Sequence, residues 1–281
     1  MTEAGNLASR RFETQIDVQA PRDAVWEAIS TEAGLRGWFA PDVSVDSEVG
    51  GEIVWRWNEH HTWPQRIEIL EPGVRLRTRY DSGVDDADGG KKPLFLDFLL
   101  EGEGGMTTLR VVQSGFGPEA GFDGEYDGIS RGWPVELRSL RLHLEQHAGK
   151  ERRLAWSTMD LDMTPPAAFE RLTSAEGFGC GTVAESMREG EPFRFESVDG
   201  DVFDGDVLTC HAHQFSGDAH SHGGAFLRIS TDEWAGKTHV WLWLGAYDQT
   251  AEDVAELAAR WDAMLQRLFV NNGETATAGG N

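Results

Sequence analysis

The sequence has little of what announces most functions. It holds two cysteines, Cys180 and Cys210. That is too few for a disulfide framework, so a reducing, cytoplasmic home is expected. No apolar run reaches the roughly 18 residues of a membrane span, so no membrane partner is expected. The opening MTEAGNLASRRFETQ lacks the apolar core of a secretory signal. There is no glycine-rich phosphate loop, because GEGG at 102–105 reads as a hairpin turn. GxSxG, HExxH and CxxC are also missing. These absences leave no catalytic residue, no metal ligand and no cofactor to assign from motifs.

Basic charge is scarce too. The formal net charge is −23, and only four of the 25 basic residues are lysine. Residues 1–150 carry 16 basic and 26 acidic side chains, and residues 151–281 carry 9 and 22. The acidity belongs to the whole surface and repels phosphate backbones and anionic membranes, so nucleic acid is not an expected partner. Such a surface suits a salty cytoplasm or a GC-rich genome.

What is present is periodicity. RFETQIDV alternates, with Phe12, Thr14, Ile16 and Val18 on one face. APRDAVWEAIS and EAGLRGWFAP read as two helices. GGEIVWRW is a strand with Ile53, Trp55 and Trp57 on one face. QRIEILEPGVRLRTRYD gives two strands, and KPLFLDFLLEGEGGMTTLRVVQSG gives a hairpin with Leu94, Leu96, Phe98 and Leu100 on one face. DGISRGWPVELRSLRLHLEQH is a long helix with Trp133, Leu137, Leu140 and Leu144 on one stripe. After a linker near QHAGKERR the order repeats: strand, helix capped by Thr164, several strands, and a final helix carrying Val254, Leu257, Trp261, Leu265 and Leu268. This predicts a tandem duplication in the α+β class. Each half is a curved antiparallel sheet wrapped around one long C-terminal helix. The expected bounds are 10–147 and 152–270, with a disordered tail over 271–281.

PRDAVWEAISTEAGLRGWFAP, GGEIVWRW and YDGISRGWPVELRSLRLHLE together resemble the START-like (SRPBCC, helix-grip) superfamily. Within it they are most similar to the branch named for the activator of a heat-shock chaperone's ATPase. The resemblance covers roughly residues 11–147. It rests on the pair Trp38 and Phe39, the double glycine Gly50 and Gly51, and Gly132-Trp133-Pro134 in order. Over 152–270 it is weaker, with SAEGFGCG standing where the WF pair would be. The resemblance implies a helix-grip fold. It also implies a range of functions, from binding lipids, hormones or polyketides to cyclase or hydrolase activity.

A sheet curled around a helix leaves a cavity suited to apolar ligands. The candidate lining of the first half is Trp38, Phe39, Trp55, Trp57, Phe98, Trp133 and Leu137, against the plain alternative of aromatic core packing. The expected partner is a small hydrophobic molecule or a protein client, without catalysis. A cyclase, dehydratase or hydrolase acting in the cavity is the alternative, as is a co-chaperone-like interaction module. The enzyme reading requires a titratable group beside Trp55, Trp57 or Phe98. Arg56 and Arg79 are expected on strands, exposed by default or anchoring a carboxylate. In HVWLWLG, Trp241 and Trp243 form a second apolar face expected to meet the other domain.

CHAHQFSGDAHSHGG, 210–224, gathers four histidines. Alignment of the halves by element puts His211 and His213 at one strand turn, and His220 and His222 at the next. Five intervening strand residues separate the clusters by roughly 17 Å at about 3.4 Å per residue. One four-ligand zinc site is therefore excluded, while a two-histidine site at either turn stays open. His60 and His61 are adjacent, so they point apart.

Overall fold

Alternating burial divides the chain into strands, and two long amphipathic stretches close the halves. The computed structural model describes residues 10–57, 61–86, 88–181, 186–234, 236–270 and 276–277. It divides into two compact units, 1–148 and 149–281.

In the first unit β1 (Arg10–Val18) leads into α1 (Arg22–Ser30) and the short α2 (Glu32–Arg36). Six strands follow: β2 (Asp42–Val45), β3 (Glu52–Arg56), β4 (Thr62–Glu71), β5 (Arg75–Asp85), β6 (Lys91–Glu101) and β7 (Thr107–Phe116). They form one sheet with β1 in the order β1-β7-β6-β5-β4-β3-β2, antiparallel throughout. The last element is α3 (Asp123–Gln146). Side chains alternate across a strand. One parity, carrying Ile16, Val18, Ile53, Trp55, Leu76, Leu96, Phe98, Leu109 and Val111, is buried with Trp133, Leu137, Leu140 and Leu144 of α3. This is the grip.

α3 starts four residues earlier than the sequence pattern indicates, and its two halves differ in quality. Gly124, Gly128, Gly132 and Pro134 all fall in its first half, whereas Val135–Gln146 holds neither residue type. Pro134 has no N–H for the Ser130 carbonyl.

The second unit repeats the plan with β8 (Arg153–Leu161), α4 (Pro165–Thr173), β9 (Pro192–Glu196), β10 (Val202–His211), β11 (Gln214–Ala219), β12 (Ala225–Trp234), β13 (Lys237–Ala246) and α5 (Ala251–Leu265). Its sheet runs β14-β8-β13-β12-β11-β10-β9, where β14 is the two-residue Ala276–Thr277. The rest of the tail expected past residue 270 lies outside the described residues. β2 has no counterpart among the described residues of this unit. Thr250 and Asp253 form a reciprocal capping box at the start of α5, and Gln266–Val270 continues it as a wider π turn. Phe178, from the SAEGFGCG stretch, is fully buried. Its ring lies 6.1 Å from Trp261 and 5.9 Å from Phe203, filling its own grip.

No described helix is long and apolar enough to cross a membrane.

Candidate functional site

The first grip brings the seven candidate side chains into one cluster. Trp38, Phe39, Trp55, Phe98, Trp133 and Leu137 are buried there, with Trp57 half-buried against them. Phe39 is the hub. Its ring stacks on Trp133 at 5.6 Å and 6°, and it meets Trp55 at 5.0 Å and Trp57 at 5.5 Å edge-on. Phe98 closes on Trp133 from the sheet at 5.5 Å. Trp38 is held by the backbone instead. Its indole N–H donates to Ala28 O at 2.9 Å, and its carbonyl accepts from Ser139 Oγ at 2.9 Å. It ties α1 to α3 and leaves no polar atom for a ligand.

A buried polar band crosses the same concave face, and the sequence reading missed it. Cross-strand register places Thr78 opposite Leu96 and Leu96 opposite Gln113. On β4 and β3, Gln65 faces Ile53, and Trp63 faces Trp55. Thr78, Gln113 and Gln65 share the parity of buried apolar residues and are themselves buried. The Trp133 indole N–H donates to Gln113 Oε1 at 2.6 Å, and Gln113 Nε2 donates to the Tyr80 hydroxyl at 2.6 Å. Thr78 Oγ1 donates to Gln65 Oε1. The Tyr80 hydroxyl is in turn hydrogen-bonded to the carboxylate of Glu125, in the first turn of α3. Trp63 joins band to aromatics, 5.0 Å from Trp55 and 4.9 Å from Tyr80.

Among the described residues, two donors in this region lack an acceptor: Trp55 Nε1 and Gln65 Nε2, on side chains 0% and 1% exposed. A buried donor left unpaired costs about 1–3 kcal/mol, and such groups are rare enough to need a reason. Two ionisable groups, Tyr80 and Glu125, bond to each other beyond Gln113. Burial pushes the Glu125 carboxyl above its ordinary value of 4.5, opposed by hydrogen bonds from Tyr80 and the Gly83 N–H. Burial also raises Tyr80 well above 10, with the nearby Glu125 charge adding to the shift.

Arg56 pairs with Asp42 at 3.3 Å and donates to Ser44 at 2.9 Å, while exposed Arg79 lies 3.8 Å from Asp81. Both lie on the opposite parity from the band. An open polar groove of about 600 Å³, lined by Glu32, Asp46, Glu52 and Arg56 among others, runs along the β2–β3 edge outside the grip.

The second grip is lined differently. Phe193, Phe195 and Phe215 cluster with centroids 4.8–5.0 Å apart. Leu227, Ile229, Val240, Leu242 and Leu244 continue the buried face. Trp261 Nε1 has no acceptor among the described residues either, but its ring lies against Phe178 and Phe203. Ser157 bonds directly to Asp262 of α5.

His211 closes β10, opposite Gln214 at the start of β11, and His213 lies in the turn with φ of 64°. His220–His222 form a 3-10 turn between β11 and β12, the strand turn where the sequence places them. His220 Nε2 lies 3.5 Å from Asp206 and 3.7 Å from Asp218, while His222 stacks on Phe203 at 4.7 Å. Among the described residues no three His, Cys, Asp or Glu side chains gather as a metal site. His60 lies outside the described residues.

Residues 19–145 match the family described as activator of Hsp90 ATPase homolog 1-like protein (AHSA1). No curated protein matches the chain. Among solved structures, the Aha1 dimer from Colwellia psychrerythraea is 23% identical, covering 50% of this chain and 99% of its own, with a TM-score of 0.43. DynU16, from the dynemicin biosynthetic locus, is 18% identical over 91% of this chain and 96% of its own, at 0.41. BexL, a di-domain ARO/CYC protein of the BE-7585A biosynthetic pathway, is 16% identical over 92% and 95%, at 0.42.

Proposed function

We propose that this protein, whose first unit matches the AHSA1 family over residues 19–145 and carries a START-like helix-grip fold, binds a small amphipathic molecule in that grip. The apolar body lies among Phe39, Trp55, Phe98 and Trp133, and a polar group reaches the band of Gln65, Tyr80 and Gln113. One observation carries the reading: two fully buried N–H donors, Trp55 Nε1 and Gln65 Nε2, stand without acceptors in an aromatic wall. A core selected for packing alone gains nothing from them. The second unit, with its phenylalanine-filled grip, serves as a structural or interaction module.

Native mass spectrometry of the full chain, followed by denaturing extraction, tests this. The expected result is an organic adduct that survives gentle ionisation and leaves on denaturation. Protein that stays bare after incubation with amphipathic small molecules defeats the reading.

A second reading, an enzyme acting in the same grip, is favoured by Glu125. Burial raises its carboxyl above the ordinary value and it touches Tyr80, the direction in which a general acid is tuned. Turnover of the extracted ligand, lost in Glu125→Gln, distinguishes the two. For a protein client there is less support. The exposed large apolar side chains Val49, Val74, Met106 and Val198 are far apart in sequence, and Trp234 lies 5.7 Å from the His239 ring.

A further inference from the structure

We infer that the ligand of the first grip is a neutral molecule that presents a carbonyl-type oxygen to Trp55 and Gln65. This rests on the binding reading above and narrows it to a chemical class.

Donors and acceptors do not balance in the band. Both of its side-chain amide oxygens are in use: Gln65 Oε1 accepts from Thr78, and Gln113 Oε1 accepts from Trp133. The Tyr80 oxygen accepts from Gln113 and its proton is directed at Glu125. What remains unmatched is donor capacity, the indole N–H of Trp55 and the amide N–H of Gln65. Trp55 stands opposite Trp63, two residues before Gln65 on β4. Trp55 and Gln65 are therefore diagonal neighbours on one face, within about 7–8 Å at the backbone and within reach of one ligand group. An oxygen with two lone pairs can accept from both.

Charge fixes the rest. Among the described residues the inward parity of β3 to β7 carries one base, Lys92 near the start of β6, which is paired with Glu119 and lies over the Phe122 ring; the buried positions Ile53, Ile67 and Thr78, which flank or pair with Trp55 and Gln65, carry no charge. An anionic ligand would be desolvated without a counter-charge, and it would lie near the Glu125 carboxylate that already bonds Tyr80. A cationic ammonium would add donors to a site whose unmatched groups are donors. A ketone, ester or amide oxygen on an apolar frame fits both conditions.

The test is isothermal titration calorimetry of the full chain with matched probes. The ketones are acetophenone and 2-acetylnaphthalene. Their hydrocarbon isosteres are α-methylstyrene and 2-isopropenylnaphthalene, in which a methylene replaces the oxygen. The anions are benzoate and 2-naphthoate. The expected order is ketone, then hydrocarbon weaker by about tenfold, within the range that two net hydrogen bonds supply, then anion weakest. The ketone preference falls in Trp55→Phe, which keeps an aromatic ring and removes one donor. It falls again in Gln65→Leu combined with Thr78→Val, which removes the amide and its partner together. Hydrocarbons that bind as well as ketones, or anions that bind best, overturn this inference and leave the binding reading standing. If none of the six probes binds, water alone satisfies the two donors, and both readings fall. A ketone preference that survives both variants places the acceptor elsewhere and overturns the inference.

Discussion

Replacing Gly128 and Gly132 with alanine should stabilise the first unit. Neither glycine has a positive φ, and a Cβ added at either position meets nothing within 4 Å. Packing and backbone geometry therefore do not call for glycine at these sites. In a helix interior each Gly→Ala change gains about 0.8–1.0 kcal/mol, so the pair is worth about 2 kcal/mol. That corresponds to a rise of roughly 6–8 °C in the midpoint of the unit's thermal transition, at about 3–4 °C per kcal/mol for this size. Scanning calorimetry reads the shift, and amide hydrogen exchange locates it. In the unmodified protein, amides of 124–132 should exchange faster than those of 138–146, and the double variant should slow the first group selectively. Equal exchange in both halves, or a lower midpoint in the variant, would refute the reasoning. It would mean that the glycines relieve the crowding that Pro134 creates against the preceding turn. The stakes are functional, because the half with weak helix formers carries Glu125 and Trp133, which cover the polar band.

Other expectations concern pH, thiol chemistry and salt. Because burial raises Glu125, its ionisation opposes folding: the stability it confers is complete below its ordinary value of 4.5 and is lost as pH rises through the raised folded value. Glu125→Gln should therefore stabilise the protein at neutral pH, by an amount that shrinks toward pH 4.5 in urea titrations; a pH-independent difference would contradict this. Burial lowers His222 below 6.5, so its contribution is present above that pH and lost as pH falls through the folded value. His222→Phe keeps a ring against Phe203 and should flatten that acid-side slope; an unchanged slope counts against it. Burial pushes the Cys180 thiol to about 12, so iodoacetamide at pH 8 should leave it unmodified in the folded chain; rapid labelling there would show that the second grip opens. Finally, a net charge of −23 should make stability rise with moderate salt as self-repulsion is screened; a steady fall would refute that.

The strands are legible in the sequence because their alternation is strict and their turns carry glycine, proline or acidic residues. Leu94, Leu96, Phe98 and Leu100 illustrate it: one parity predicts one face, and all four are buried. The aromatic hub is legible for the same reason, since Trp55 and Trp133 lie on the inward stripes of a strand and a helix. The polar band is not. Gln113 shares the parity of Leu109 and Val111, and Gln65 that of Ile67, so counting parity flags each as an inward polar residue. Bringing them together requires the register between β4 and β5, where a bulge between Ile67 and Ile69 shifts the pairing. No local pattern encodes that bulge. Glu125 escapes notice because Gly124 and Gly128 weaken the helical signal at the start of α3, so the pattern places the helix start at Asp127. The histidine turn at 220–222 is legible as a turn from the alignment of the two halves, but its 3-10 geometry is not.

The unpaired indole of Trp55 also has a spectroscopic consequence. An excited indole emits toward the red when its N–H and dipole are engaged by polar partners, and toward the blue when they are not. Trp55 is fully buried among rings with its N–H unengaged, so it contributes emission at the blue edge of the protein's spectrum. An oxygen arriving at that N–H would move this contribution to longer wavelength, while Trp38, whose N–H is already bonded to Ala28, would hold its own. If the first grip binds the ligand proposed above, the unmatched donor would report its arrival optically.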